Sequence, residues 1–454
     1  MLPKRGLAWQ RDHAVFRRRH PWAGNRVALP RETMTTNCTV AIDARLVGGT
    51  AGGVEHLVAG LARGFSGLSD GPEQYLFLTH RLSQSWLLPY ISGPCRVVDF
   101  GLSPRFAAKV LIARLSPTLR RSWWRSLERL VRSGERPLAG TQDRELERLG
   151  ADLVHFTRQD AFPTRVPGIY HPHDLLHLHF PRFFSRQERK ERDTIYGEHC
   201  RRARMVAVSS SWTKDDLVAS YGLPESQVQV VPLAPTLEFA PEPTVVEVER
   251  ARRQLHLPDR YVLYPAQFWP HKNHAGLVEA CAVLRDRHHL LVPMVLVGRR
   301  TEHTDAVISR IRELDLEGLV RIPGYVSTRQ LRCMYSMATC LAIPTMFEAA
   351  SFPMWDAFLT GVPVAASTVT SLPRQAGGAA VLFDPTSPQE IAEALASLWS
   401  SENLREELVT KGREVVRPLT WERTARHFRA HYRRILELPM TRADRELLDA
   451  PPLL

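Results

Sequence analysis

Thr39-Val-Ala-Ile-Asp43, Gly48-Gly-Thr-Ala-Gly52-Gly53 and Val54 to about Phe65 follow one another: an apolar run, a glycine-rich turn and a helical stretch. A short apolar run rich in β-branched residues, bounded by turn signals, reads as a buried strand. Glycines after it permit a sharp reversal and a close backbone approach. Strand, glycine turn and helix in that order make the first unit of a doubly wound α/β domain.

The alternation continues outward from this unit. Tyr75–Thr79, Cys95–Phe100, Leu153–Phe156, Gly168–Tyr170 and Met205–Val208 read as further strands, and Ser209–Ser211 offers caps for the helix that follows. Prolines at 232, 235, 241 and 243 then punctuate the chain as a linker would. A second set follows: Tyr261–Tyr264, Met294–Val297, Val320–Ile322, Thr339–Ile343, Val364–Ala366 and Ala380–Phe383, with an amphipathic helix from about Thr420 to Leu436. The expected fold class is therefore α/β, with two Rossmann-like doubly wound domains facing across a cleft. The expected division is an N-terminal extension (1–36), a first domain (37–235), a linker (236–245), a second domain (246–418), a final helix (419–440) and a tail (441–454). Residues 1–36 are arginine-rich without periodicity and read as disordered; Met34 is a possible alternative start.

With 454 residues, 44% hydrophobic and 24% charged, the composition is that of a soluble globular protein of two domains. No apolar run is long enough for a transmembrane helix, and the N-terminus lacks the apolar core of a secretory signal. The six cysteines form no CxxC pair, which predicts reduced thiols and a cytoplasmic protein. A net charge of +12 fits an anionic membrane, nucleic acid or a phosphorylated substrate, or merely an arginine-rich surface. Nucleic acid is not expected as a partner, because the basic residues form no binding motif with exposed aromatics. Residues 103–136 interleave nine arginines and lysines with Trp123, Trp124 and several leucines. They read either as a peripheral anchor to anionic lipid at the inner membrane face or as a solvated basic face over buried tryptophans.

The chemistry gathers in four places, each just after a predicted strand. Pro344-Thr-Met-Phe-Glu348-Ala-Ala-Ser-Phe-Pro353-Met-Trp-Asp356-Ala-Phe-Leu-Thr-Gly361-Val-Pro363 sets two carboxylates around a helix start, with Ser351 as N-cap, Pro353 in the first turn and Gly361 as the stop. Free N–H groups at that start suit phosphate, and the acids suit sugar hydroxyls, which points to a nucleotide-sugar pocket. Gly52 and Gly53 expose N–H groups to a ligand or simply make a tight turn. His173, in His171-Pro-His-Asp-Leu-Leu-His-Leu-His179, is placed to donate to a sugar or to pack structurally; the spacing of the four histidines matches no strong zinc template. Lys272, in Gln267-Phe-Trp-Pro-His-Lys-Asn273, opens a helix and is either a diphosphate ligand or a surface lysine.

Together these segments resemble the retaining glycosyltransferases of family 4, which have the two-domain GT-B fold. The resemblance runs from about residue 38 to 438 and is most specific at the acid motif, Gly361-Val-Pro-Val-Ala-Ala-Ser367 and Ser371-Leu-Pro373. It implies a hexose-type donor (mannose, rhamnose or glucose-like) carried on a nucleoside diphosphate. It implies a glycan or lipid-linked acceptor in cell-surface polysaccharide synthesis, retention of configuration, and no metal or other cofactor. It gives His173 and Glu348 catalytic roles. Lys272, Gln267, Gly52, Gly53 and Arg374 would hold the donor diphosphate, Asp356 the ribose, and Glu348 with Ala349, Ala350, Ser351 and Phe352 the sugar. The final helix, from Trp421, would cross back to the first domain. Four departures stand out: Asp356 replaces glutamate, Gln267 replaces arginine, Ala349 and Ser351 replace glycines, and Arg374 replaces an acid. Arg374 is the expected source of the charge that Gln267 lacks. The alternative is a relative that binds nucleotide sugar in an assembly complex without catalysing transfer.

Overall fold

The computed structural model describes residues 38–49, 52–101 and 140–453. The readings made for residues 1–36 and for the basic segment 103–136 lie outside the described residues. The first sheet has seven strands in the order β3-β2-β1-β4-β5-β6-β7, and the second has six in the order β10-β9-β8-β11-β12-β13. In the first they are β1 (Cys38–Asp43), β2 (Glu73–Thr79), β3 (Cys95–Asp99), β4 (Leu153–Phe156), β5 (Gly168–Tyr170), β6 (Met205–Val208) and β7 (Val228–Val230). In the second they are β8 (Val262–Pro265), β9 (Met294–Val297), β10 (Val320–Gly324), β11 (Cys340–Ile343), β12 (Val364–Ser367) and β13 (Ala380–Phe383).

Every pairing is parallel, and Ile42 on β1 sits in register with Phe77 on β2 and His155 on β4. Parallel strands covered by helices on both faces must be apolar throughout rather than alternating. β4, β6, β9, β11 and β12 are accordingly buried at every residue.

In each sheet the strand order reverses once, between β1 and β4 in the first and between β8 and β11 in the second. At such switch points the helices diverge to opposite faces and leave a crevice beyond the carboxyl ends of the strands. The glycine turn follows β1, Lys272 follows β8 and Glu348 follows β11. Topology alone thus carries three separated segments to the two crevices.

The chain crosses between the sheets through the proline-rich stretch and returns through the helix Trp421–Ile435. That helix lies on the first-lobe helix Gly53–Ser66. A Cβ on Gly60 would come within 2.2 Å of the Trp421 ring, and one on Gly64 within 2.3 Å of the Trp421 carbonyl oxygen, so both positions require glycine. The Trp421 indole N–H donates to the Pro235 carbonyl (2.9 Å) and the Thr424 hydroxyl to that of Pro232 (2.8 Å), which ties the returning helix to the outgoing linker. Arg433 joins Glu73 (2.5 Å) and Asp444 (2.7 Å), all three buried.

The elements that the sequence reading did not name include an edge strand and a tail helix. β7 is a three-residue edge strand split by Gln229, too short for periodicity to register. The tail expected at 441–454 contains the helix Arg442–Asp449, opened by a Thr441/Asp444 capping box and pinned through Asp444. The six cysteines are all buried and free. No helix of the described residues is long and apolar enough to cross a membrane.

Candidate donor site at the facing switch points

Lys272 ends a single turn, Pro270–Lys272, after β8, and Asn273, in a left-handed conformation (φ 56°), caps the next helix by accepting from the Gly276 N–H. The turn is stitched to the loop after β11. The His271 carbonyl accepts from the Met346 N–H (2.7 Å) and the Thr345 hydroxyl (3.0 Å). This places the Lys272 ammonium 2.6 Å from Glu348 Oε2. The pair is neither sealed nor fully wet, with the two side chains 20% and 15% exposed. Burial raises the Glu348 carboxyl above its ordinary range; Lys272 opposes that, and the negative charge of Asp174, from the first lobe, adds to it.

The backbone from Glu348 to Ser351 is clamped from one side. The Glu348 carbonyl accepts from the hydroxyls of Thr370 (2.6 Å) and Ser371 (2.8 Å). The buried Gln375 amide donates to the Ala349 carbonyl (3.0 Å) and accepts from the Ser351 N–H (2.9 Å). The loop is therefore held before any ligand arrives. Ser351 occupies the N-cap position of the helix Phe352–Thr360, but its side chain makes no capping bond and its buried hydroxyl has no partner among the described residues. The expected cap exists in position only; Pro353 has no N–H and the Met354 N–H donates to the Ser351 carbonyl (3.2 Å), which leaves the Phe352 N–H at the positive end of that helix. Gly361 closes the helix in the left-handed conformation (φ 73°), as read from sequence.

The first lobe contributes the glycine turn and the histidine segment. Gly52 has φ 56° and ψ −127°, a region open only to glycine, and N-caps the helix Gly53–Ser66 without a side-chain cap. Both oxygens of Glu55 accept from the Gly49 N–H (2.9 and 2.8 Å), which folds the turn onto its own helix. A Cβ on Gly52 would lie 3.2 Å from the Gln267 amide nitrogen of the second lobe. His173, also left-handed (φ 68°), makes a 2.9 Å bond from Nε2 to the Thr157 carbonyl just beyond β4. A carbonyl only accepts, so Nε2 carries the proton; burial lowers the pKa, and the neutral ring keeps Nδ1 as an acceptor.

The structure thus gathers Gly52, Gly53, Gln267, Lys272 and Glu348 where the lobes meet, with Ala349, Ala350 and Ser351 in the clamped loop. Phe352 continues that loop with its backbone, while its ring packs toward Gly53 and lies edge-on to His56 (centroids 6.4 Å apart), so the side chain joins the lobes. Asp356 departs from its expected place. It is 3% exposed, and its oxygens accept from the Thr236 hydroxyl (2.7 Å) and the Leu237 N–H (3.0 Å) of the linker. The expected ribose ligand is a strut, and burial pushes its carboxyl up to about 6. Arg374 is exposed on the short helix Leu372–Ala376 and, among the described residues, bonds to none of this set.

Sequence reasoning missed Thr370 and Gln375, which act through loop carbonyls and carry no charge signature. It also missed Arg299, whose guanidinium donates to the Gly49 carbonyl across the interface. Arg299 follows Gly298 directly after β9, the same post-strand position that singled out Lys272 and Glu348. Among the described residues no group of three or more His, Cys, Asp or Glu is placed to hold a metal ion.

Two parallel doubly wound lobes with facing switch points and a returning C-terminal helix define the GT-B architecture. A family model described as glycosyltransferase family 4 matches residues 51–237, and one described as glycosyl transferases group 1 matches residues 246–415. The chain belongs to the family 4 glycosyltransferases. It is 23% identical over 250 residues to the O-antigen chain mannosyltransferase B of Escherichia coli, covering 55% of this chain and 66% of that protein. It is 29% identical over 250 residues to the D-inositol 3-phosphate glycosyltransferase of a Nocardioides species, covering 51% and 54%. The chain therefore spans between half and two thirds of the length of these relatives. The crystal structure of Anabaena HepE in complex with UDP and glucose superposes with a TM-score of 0.63 at 15% identity, covering 87% of this chain and 99% of that one; this likeness concerns the fold.

Proposed function

We propose that the protein is a retaining hexosyltransferase. It moves a mannose-, rhamnose- or glucose-like sugar from a nucleoside diphosphate to a glycan or lipid-linked acceptor in surface polysaccharide synthesis. The observation that carries this reading is the Lys272–Glu348 pair, 2.6 Å apart at the second switch point and facing the glycine turn of the first. A cation and a hydroxyl-accepting anion side by side match a ligand whose diphosphate is followed directly by a sugar. The two mannosyl- and glycosyltransferase relatives agree with a sugar-transfer role.

In this reading the anomeric carbon's bond to the β-phosphate oxygen breaks on the face where the acceptor hydroxyl attacks. The acceptor proton passes to the departing phosphate oxygen. Lys272 turns from Glu348 toward the diphosphate, and the positive end of the helix Phe352–Thr360, with the Phe352 N–H, shares the growing charge. Glu348 accepts from the sugar hydroxyls, and His173 approaches the sugar from the first lobe. Lysine and helix end meet the charge without a metal ion.

A second reading, a nucleotide-sugar binder that does not catalyse, is favoured by the neutral Gln267 and by the withdrawal of Asp356 into the linker. The test is a thermal-shift panel of UDP, GDP, ADP, dTDP and their sugar conjugates, with and without EDTA, followed by product analysis of the conjugate that binds. Expected are a rise in Tm with one nucleotide, insensitive to EDTA and lost in Lys272→Ala, and slow donor hydrolysis or transfer. Binding without any turnover selects the second reading. No shift with any nucleotide overturns both.

A further inference from the structure

We propose that Arg299 supplies the positive charge at the donor diphosphate that Gln267 does not. This rests on the donor-site reading above. The resemblance puts an arginine where this chain has Gln267, and the sequence offered Arg374 as the substitute; the geometry points elsewhere. The ends of β8 and β9 touch directly, since a Cβ on Gly298 would lie 2.1 Å from the Ala266 carbonyl oxygen and 3.1 Å from the Gln267 Cα. Gly298 is thus glycine because the two backbones abut, and the next residue, Arg299, starts from the flank of Gln267.

Both side chains then reach the same first-lobe turn. The Gln267 amide approaches Gly52, and one Arg299 Nη donates to the Gly49 carbonyl. The guanidinium lies over the ring of Tyr325, its central carbon 5.3 Å from the ring centroid, while Tyr325 itself is 65% exposed at the end of β10. Among the described residues its partners are these two weak ones, which hold the arginine in place without neutralising it, because neither a carbonyl nor an aromatic ring carries a full negative charge. A guanidinium has five N–H donors in a planar fork suited to two phosphate oxygens, and a single bond to Gly49 leaves most of them unused. The uncapped start of the helix Gly53–Ser66 stands behind the same turn. Arg299 therefore does two things: it clasps the lobes through Gly49, and it presents a partly desolvated cation beside Gln267.

The experiment is calorimetric titration of the full chain and of Arg299→Ala, Arg299→Lys and Arg374→Ala. The titrants are whichever nucleoside diphosphate the wild type binds and the matching monophosphate, with weak cases read by displacement. A group acting on the β-phosphate should discriminate between the two. Arg299→Ala is expected to weaken the diphosphate about tenfold or more and the monophosphate by under about threefold, because a charge-assisted hydrogen bond carries that order of affinity. Arg299→Lys should recover part of the loss, and Arg374→Ala should change neither. Equal weakening of both nucleotides makes Arg299 a lobe clasp only and overturns the proposal, as does an unchanged diphosphate affinity or a diphosphate-specific loss that falls on Arg374→Ala. Failure of the wild type to bind any of UDP, GDP, ADP and dTDP removes the donor site itself, a result distinct from a silent Arg299 in a chain that binds.

Discussion

Glu348 and Asp356 are eight residues apart on one motif, and the structure sets them in opposite surroundings. Glu348 sits at the lip of the interlobe crevice with one oxygen on Lys272. Asp356 sits under the linker with both oxygens bonded and almost no exposure. Burial raises both carboxyls. What differs is the partner. Glu348 faces a cation that a ligand can draw away, whereas Asp356 faces a hydroxyl and a backbone N–H that belong to the fold. A side chain one methylene shorter than glutamate reaches Thr236 and goes no further. Acids of similar chemistry thus become the proposed ligand contact and a bonded strut, because Glu348 lies in the loop that meets the crevice and Asp356 on the helix face that meets the linker.

The widest separation between them should come from removing each charge. Glu348→Gln is expected to lower turnover by about 10²- to 10³-fold, the usual loss when a group aimed at the reacting centre is neutralised, with an unfolding midpoint close to wild type. Asp356→Ala should do the reverse. It orphans the buried Leu237 N–H, at about 1–3 kcal/mol for a buried group left unpaired, and the half-buried Thr236 hydroxyl, at less. Paired denaturation curves and initial rates on the two variants check this. Loss of turnover in both with an intact fold would erase the distinction.

pH sharpens the same contrast. The Asp356 carboxyl rises from 3.8 to about 6 in the folded protein. The folded state then holds a proton that the unfolded chain has released, between about pH 4 and 6. Its contribution is fully present below the unfolded value and is lost as pH rises through the folded one. The shift corresponds to about 3 kcal/mol at 1.36 kcal/mol per unit. The stability of the wild type relative to Asp356→Asn should fall by up to that amount between about pH 4 and 6 and be level on either side. A flat difference across the window would mean that Asp356 titrates like an exposed acid.

Much of this was legible in the sequence, and the limits have physical causes. Fully buried parallel strands betray themselves as continuous apolar runs, so twelve strands and the switch from strand to glycine turn could be read directly, as could the returning helix from Trp421. β7 could not, because an edge strand of three residues need not be apolar throughout. Lys272, Glu348 and Gly52 could be singled out as candidates because residues just beyond strand ends at a switch point face the crevice. The direction of Asp356 was not readable, since it depends on Thr236, 120 residues earlier, arriving beneath the helix. Gln375 and Thr370 were invisible for a related reason: they hold loop carbonyls from a different crossover, and no local pattern marks a side chain whose partner is a distant backbone.

Thr236→Val makes the smallest change and discriminates most finely. Valine keeps the shape and removes only the hydroxyl that donates to Asp356 Oδ2. The loss should be about 1.5–3 kcal/mol where the carboxylate is charged, and nearer 1 kcal/mol where it is protonated and the bond is between neutral groups. The hydroxyl opposes the upward shift, so its removal should also move the Asp356 titration above 6. Urea unfolding at pH 5 and pH 8 separates these cases, with the larger deficit expected at pH 8. Donor KM should stay at the wild-type value, because a strut beneath the helix touches no ribose. A raised donor KM with unchanged stability at both pH values would return Asp356 to the pocket, and the two acids of the motif would then share one role after all.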